Sequence, residues 1–205
     1  MNADEYCKDP CAASSLPFWK TERFPLPAQL SVIRDDAFFP GRCSGKDEPY
    51  FKMMHDLKVL PAVPLPEGFE IVACEIPDFA RHINECYTEE GVSPEELSAY
   101  RSRPVYQPDL WIALTETGKS RILATGIAEC DERIGEGILE WIQVSPDYRR
   151  RGLGSFLVCE LLRRMQDRAR FATVSGRLQS ESRPMALYQA CGFTNPVIWH
   201  VVRKE

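Results

Sequence analysis

Residues 148–154 read YRRRGLG, a run whose residue types and spacing could hold a phosphate. It follows the apolar segment ILEWIQV (Ile138–Val144) and precedes a long apolar-striped stretch, so its glycines fall at a strand exit and a helix start. The first turn of a helix carries unpaired N–H groups and a partial positive charge. Gly152 and Gly154 lack the Cβ that would keep an anion off the backbone, and Arg149 and Arg151 add full charges. Three readings compete. A dinucleotide loop, G-x-G-x-x-G, needs glycine where Leu157 stands. A P-loop needs G-K-[ST] where Gly154-Ser155-Phe156 stands. The pattern R-x-x-G-x-G is met by Arg149, Gly152 and Gly154, although a solvated arginine run before a glycine-started helix would look the same.

Composition narrows the class. The 205 residues carry a net charge of −5, which argues against a general nucleic-acid binder while allowing a local phosphate pocket. No apolar run is long enough to span a bilayer, and no charged-then-apolar leader is evident. The expectation is a cytoplasmic protein with reduced thiols and no membrane partner. Its eight cysteines are scattered, without a C-x-x-C pair. Cys7, Cys11, Cys43 and His55 match no zinc-ligand spacing, so no metal is expected.

The elements that must position the loop follow from pattern. Residues 1–67 are proline-rich, with one strand candidate at Tyr50–Leu57 and an extended linker, PAVPLPEG, at Pro61–Gly68. This places a boundary between an extension, 1–67, and a main domain, 68–205. Beyond it come a strand at Phe69–Ile76, a helix from Pro77 to Gly91, and a helix capped by Ser93 with Pro94 and Glu96. Strands DLWIALTE and RILATGIAEC meet at a Thr117-Gly118 turn, and Ile138–Val144 reads as a strand buried on both faces. A helix from Gly152 to about Arg170, a strand at Phe171–Leu178, a short helix stopped by Gly192 and a final strand complete the chain. The order β-α-α-β-β-β-α-β-α-β is mixed α/β.

VSPDYRRRGLG together with ALYQACGF (Ala186–Phe193) resembles the GNAT superfamily of N-acetyltransferases over about Phe69 to Val202. The resemblance implies a mixed, mostly antiparallel sheet with a splayed parallel strand pair and helices on both faces. It implies acetyl-CoA as co-substrate, with Arg149, Arg151, Gly152, Leu153, Gly154 and Ser155 around its pyrophosphate. Ile142, Gln143 and Val144 would lie beside the pantetheine arm, where a main-chain group would stabilise the oxyanion. Tyr188 matches the tyrosine that protonates the departing thiolate. Many members carry Asn seven residues before it; here that position is Glu181.

Acetyl transfer to an amine needs a base, because an ammonium has no lone pair. Glu140 is the candidate. By strand alternation it would share a face with Ile138, Ile142 and Val144. It reads equally as a structural partner for an arginine on a neighbouring element. Glu89, Glu90, Glu95 and Glu96 are weaker candidates for amine recognition and read better as a solvated helix face. The acceptor is a small-molecule or peptide amine, and the oligomeric state, a homodimer included, stays open. A rival reading keeps the fold and the ligand without turnover, as an acyl-CoA-binding regulatory module. The extension weakly resembles the remnant of a tandem GNAT repeat, whose Tyr50–Leu57 strand would pair with the main sheet or pack on it. Its aromatics Phe18, Trp19, Phe38 and Phe39 would need burial.

Overall fold

The computed structural model describes residues 1–43, 45–87, 91–180 and 183–204. Three short helices open the chain: α1 (Ala3–Lys8), α2 (Pro10–Ala13) and α3 (Phe18–Arg23). An Asn2–Glu5 capping box starts α1, and the Asp9 side chain caps α2. Strands β1 (Leu30–Arg34), β2 (Lys46–His55) and β3 (Phe69–Val72) follow, then α4 (Ile76–Cys86) and α5 (Pro94–Ala99). The remainder is β4 (Trp111–Glu116), β5 (Ala124–Asp131), β6 (Glu136–Val144), α6 (Leu153–Met165), β7 (Phe171–Arg177), α7 (Pro184–Ala190) and β8 (Thr194–Arg203). From β3 onward this is the element order read from sequence.

All eight strands form one sheet, ordered β1-β8-β2-β7-β6-β5-β4-β3. Every pair is antiparallel except β6 with β7, which is parallel because α6 carries the chain between them. Helices cover both faces. Leu157, Leu161 and Met165 of α6 and Tyr188 of α7 pack over one face in the main core. On the other face α4 and α5 bury Phe79, Ile83 and Leu97, while Tyr6, Phe18 and Trp19 of α1 and α3 pack beside them. The mostly antiparallel, two-faced architecture is the one the resemblance implies.

The expected strand at Tyr50–Leu57 forms as β2, and it pairs with both β7 and β8. Residues 1–67 and 68–205 therefore contribute to the same sheet. Phe18 and Trp19 are buried, Phe38 stacks on His200, and Phe39 is exposed. The helix expected to reach Gly91 ends at Cys86, because Tyr87 takes an extended conformation. The Ser93–Glu96 capping box forms as read. The expected tight hairpin is wider: β4–β5 pairing stops at Leu114 and Ala124, and the Thr115 hydroxyl ties the loop by bonding the Lys119 and Arg121 carbonyls.

Alternation along β6 is interrupted. Trp141 pairs with Ile127 and Leu139 with Ala128, leaving Glu140 as the extra residue of a bulge. Leu139 and Ile142 consequently both face α6, whereas Ile138 and Trp141 face the opposite side. Glu140 joins Ile138 on the α3 face, and Ile142 and Val144 do not share it, contrary to strict alternation.

Candidate functional site

β6 and β7 pair only from Glu136 with Phe171 to Leu139 with Val174. Beyond that point β6 runs on to Val144 without β7 beside it, so the two strands form a fork. Gln143 pairs with Thr125 of β5, which turns the backbone groups of Ile142 and Val144 toward the open side. Two contacts mark that edge: the Tyr87 hydroxyl donates to the Ile142 carbonyl at 3.4 Å, and Arg149 Nε to the Val144 carbonyl at 3.2 Å.

At the wide end of the fork stands the start of α6. Gly152 caps it at φ +85, a left-handed conformation that favours glycine. Arg150, two residues earlier, also takes a left-handed φ of +64. The N–H groups of Leu153, Gly154 and Ser155 open the helix with no intrahelical partner available to them. A Cβ at Gly154 would sit 3.3 Å from Leu187 and 3.7 Å from Val144, so glycine there keeps the space beside the strand open. Arg149 and Arg151 are exposed, and Arg151 lies over the Tyr148 ring at 4.7 Å. Neither pairs with a carboxylate among the described residues, so both charges are available to an anion. Pro66 of the linker lies 3.4 Å from a Cβ built on Gly152, which brings residues 61–67 alongside the loop.

At the narrow end lies a cavity of about 120 Å³, bounded by Leu139 and Glu140 of β6, Val174 of β7, and Leu16, Pro17 and Lys20. The Lys20 ammonium contacts Glu140 at 2.5 Å. Burial works against the charged Lys20, but Glu140 outweighs it and holds the ammonium above its ordinary pKa. Behind this pair, Glu129 of β5 is buried and bonded to Arg103 at 2.5 Å. Burial, with Glu140 adding to it and Arg103 opposing, pushes the Glu129 carboxyl up to about 7. Folding then takes up a proton between the ordinary 4.5 and about 7, so this contribution is complete below pH 4.5 and is lost as pH rises through about 7. Urea unfolding across that window should show the wild type losing stability relative to Glu129→Gln. Parallel pH curves would mean that Glu129 is ionised throughout.

Tyr188 approaches from the α6–α7 face. Its ring is buried against Phe51 and Phe193, at centroid distances of 6.1 and 5.7 Å. Burial, then the neighbouring Tyr87, raises its pKa, so the phenol stays protonated and can donate. Glu140 and Tyr188 thus sit on opposite faces of the sheet. The sheet carries a carboxylate on one face and a protonated phenol on the other, with unpaired helix N–H groups at the open end of the fork.

Gln143 tucks its amide beneath α4 and donates to the Thr125 hydroxyl. It belongs to a buried group in which His82 bridges Thr125 at 2.9 Å and Ser145 at 3.0 Å, with the Cys86 sulfur 3.6 Å from His82. Burial lowers the His82 pKa and keeps the ring neutral. Glu95 is exposed and Glu96 closes the α5 cap. Glu89, Glu90 and Glu181 lie outside the described residues. Among the described residues no cluster of His, Cys, Asp or Glu could hold a metal, and no helix is long and apolar enough to cross a membrane.

Sequence reading missed Lys20, Arg103, Glu129 and Tyr87. Tyr87 could have been found from a helix end placed four residues earlier. The other three reach the site only through tertiary packing and leave no local signal.

Residues 107–195 match the family model described as Acetyltransferase (GNAT) domain. A search of curated proteins found no significant match. Among solved structures, the chain is similar to a GCN5-related N-acetyltransferase from Sphaerobacter thermophilus, with a TM-score of 0.69 and 18% identity over 98% of this chain and 65% of that one. It is also similar to a Drosophila protein, with a TM-score of 0.59 and 21% identity over 77% of this chain and 51% of the other. An acetyltransferase of the GNAT family from Colwellia psychrerythraea gives a TM-score of 0.61 and 14% identity, over 85% and 65%. The chain therefore spans between half and two thirds of the length of these neighbours. At such identities the likeness is one of fold.

Proposed function

We propose, for a chain whose residues 107–195 match the GNAT acetyltransferase family model, that it transfers an acetyl group from acetyl-CoA to a primary amine by direct attack. The observation that carries this reading is the fork between β6 and β7, with Glu140 beside its last paired residues and Tyr188 in the core on the other face of the sheet. The α6 N-terminus, with Arg149 and Arg151, suits a pyrophosphate, and the glycine at 154 lets it approach. The edge of β6 at Ile142 and Val144 offers main-chain groups to an extended pantetheine arm and to the developing oxyanion. Glu140 takes the amine proton, directly or through a water. Tyr188, kept protonated by burial, gives a proton to the leaving thiolate. The acceptor is a small molecule or a peptide amine. A cytoplasmic location accords with eight cysteines that are all free thiols.

A second reading, acyl-CoA binding without turnover, draws on one observation: Lys20 already engages Glu140. Thermal unfolding with acetyl-CoA followed by an amine panel separates the two. At a hundredfold excess over Kd, acetyl-CoA is expected to stabilise the fold by about 2.7 kcal/mol. Amine-dependent release of CoA should follow, and Tyr188→Phe should slow that release while the thermal shift stands. A shift without release for any amine would favour the binding module, and no shift at all would sink both readings.

A further inference from the structure

We propose that Lys20 is itself an acetylation site, modified in cis by the site it lines; this rests on the acetyl-transfer reading of the fork. Lys20 and Glu140 both border the cavity where β6 and β7 part, and their side chains touch at 2.5 Å. They are only 23% and 13% exposed. An amine beside the candidate base, in the space beside the last paired residues of the fork, stands where an acceptor amine is required.

The amine is also held in place. Its neighbours Phe18 and Trp19 are buried, and the Phe18 N–H donates to the buried Glu136 carboxylate at 3.0 Å. α3 is therefore pinned on the sheet, and the side chain need not swing in from solvent. Pre-positioning of this kind converts a bimolecular encounter into a unimolecular step. The other lysines lack these conditions. Lys52 is buried, but its ammonium is fully engaged by the Tyr6 hydroxyl and the carbonyls of Ser14 and Leu16. Lys46 and Lys58 are 75% and 81% exposed and pair with Glu48 and Asp56. Lys8, Lys119 and Lys204 are exposed.

The step balances without a further reactant. Glu140 takes a proton from the Lys20 ammonium, and the neutral Nζ attacks the thioester carbonyl carbon. The N–C bond forms and the C–S bond breaks. Two protons leave the nitrogen: one ends on the CoA sulfur, and the other passes through Glu140 to water. The products are Nζ-acetyl-lysine at position 20, free CoA thiol and one proton, and nothing is oxidised or reduced.

The test incubates the full chain with acetyl-CoA and reads acetyl occupancy at each lysine by peptide mass spectrometry. Spontaneous labelling favours exposed amines, so Lys46 and Lys58 serve as internal standards. Lys20 is expected to exceed them by about tenfold or more, at a rate independent of protein concentration, and to lose that preference when the chain is unfolded in urea before acetyl-CoA is added. Glu140→Gln should abolish the preference while acetyl-CoA still raises Tm; the wild-type occupancy pattern decides the matter even if that variant misfolds. Lys20 labelled no more than Lys46 and Lys58, while an added alkylamine is acetylated, overturns the proposal and leaves the acetyl-transfer reading standing. Bound acetyl-CoA with neither Lys20 nor any amine acetylated overturns both. A rate that grows with protein concentration overturns the modification in cis.

Discussion

Glu140→Gln is expected to lower kcat/KM for amine acetylation by about 10²–10⁴-fold, the usual worth of a positioned general base. The ordinary pKa of an alkylamine is ~10.4, so near neutral pH almost every acceptor arrives as an ammonium and must be deprotonated at the site. Glutamine keeps the size and hydrogen-bonding reach of glutamate but cannot take the proton. Acetyl-CoA affinity should not change, because the α6 N-terminus and Arg149 lie at the other end of the fork. Steady-state kinetics against acceptor, with the acetyl-CoA Kd measured separately, checks both halves. Full activity in the glutamine variant would reduce Glu140 to the partner of Lys20. Such a purely structural role would show instead as a loss of folding stability, since Lys20 would keep a partly buried charge without its counterion.

The second large effect concerns folding. Glu136→Ala should cost about 3–5 kcal/mol, the range for removing one partner of a buried charged network. Glu136 is fully buried, and its carboxylate accepts from Tyr6 Oη at 2.5 Å, Thr173 Oγ1 at 2.7 Å and the Phe18 N–H at 3.0 Å. Tyr6 in turn accepts from Lys52 Nζ at 2.8 Å. Lys52 is only 1% exposed, and burial brings its pKa down to about 8, with Glu136 the strongest opposing influence. Alanine removes the acceptor of three donors and strips the buried ammonium of its balancing charge. Urea unfolding measures the loss. The pair Glu136→Leu with Lys52→Met should recover part of it, because both charges leave the interior together while the three donors stay without this acceptor. A single variant as stable as the wild type would show that the network contributes nothing to holding α1 and α3 on the sheet.

What the sequence disclosed of this molecule was local. Ser93 and Glu96, three residues apart, announce a helix start, and the structure contains that cap. Gly152 and Gly154 announce a turn into a helix, and α6 begins there. The order of elements from β3 to β8 follows from periodicity within each segment. What stayed hidden depends on residues far apart in the chain. The bulge at Glu140 exists because β5 and β6 pair in two registers, and no pattern within β6 alone betrays it. The Lys20–Glu140 contact spans 120 residues, and the Tyr6–Glu136 contact 130. A lysine in a short helix near the start of the chain carries no mark of the carboxylate it will meet.

The position of β2 has a consequence for how the molecule comes into being. It is made early, yet its neighbours in the sheet are β7 and β8, whose register pairs Met54 with Thr173 and Glu48 with Val201. During synthesis β2 has no native partner until most of the chain has emerged, and its apolar residues Phe51 and Met53 must wait uncovered. Such long-range pairing slows folding, and an unpaired strand edge invites wrong contacts meanwhile. The charged and proline-bearing start of the strand, Lys46-Asp47-Glu48-Pro49, exposed at its first two residues, is the kind of sequence that keeps a waiting edge from aggregating.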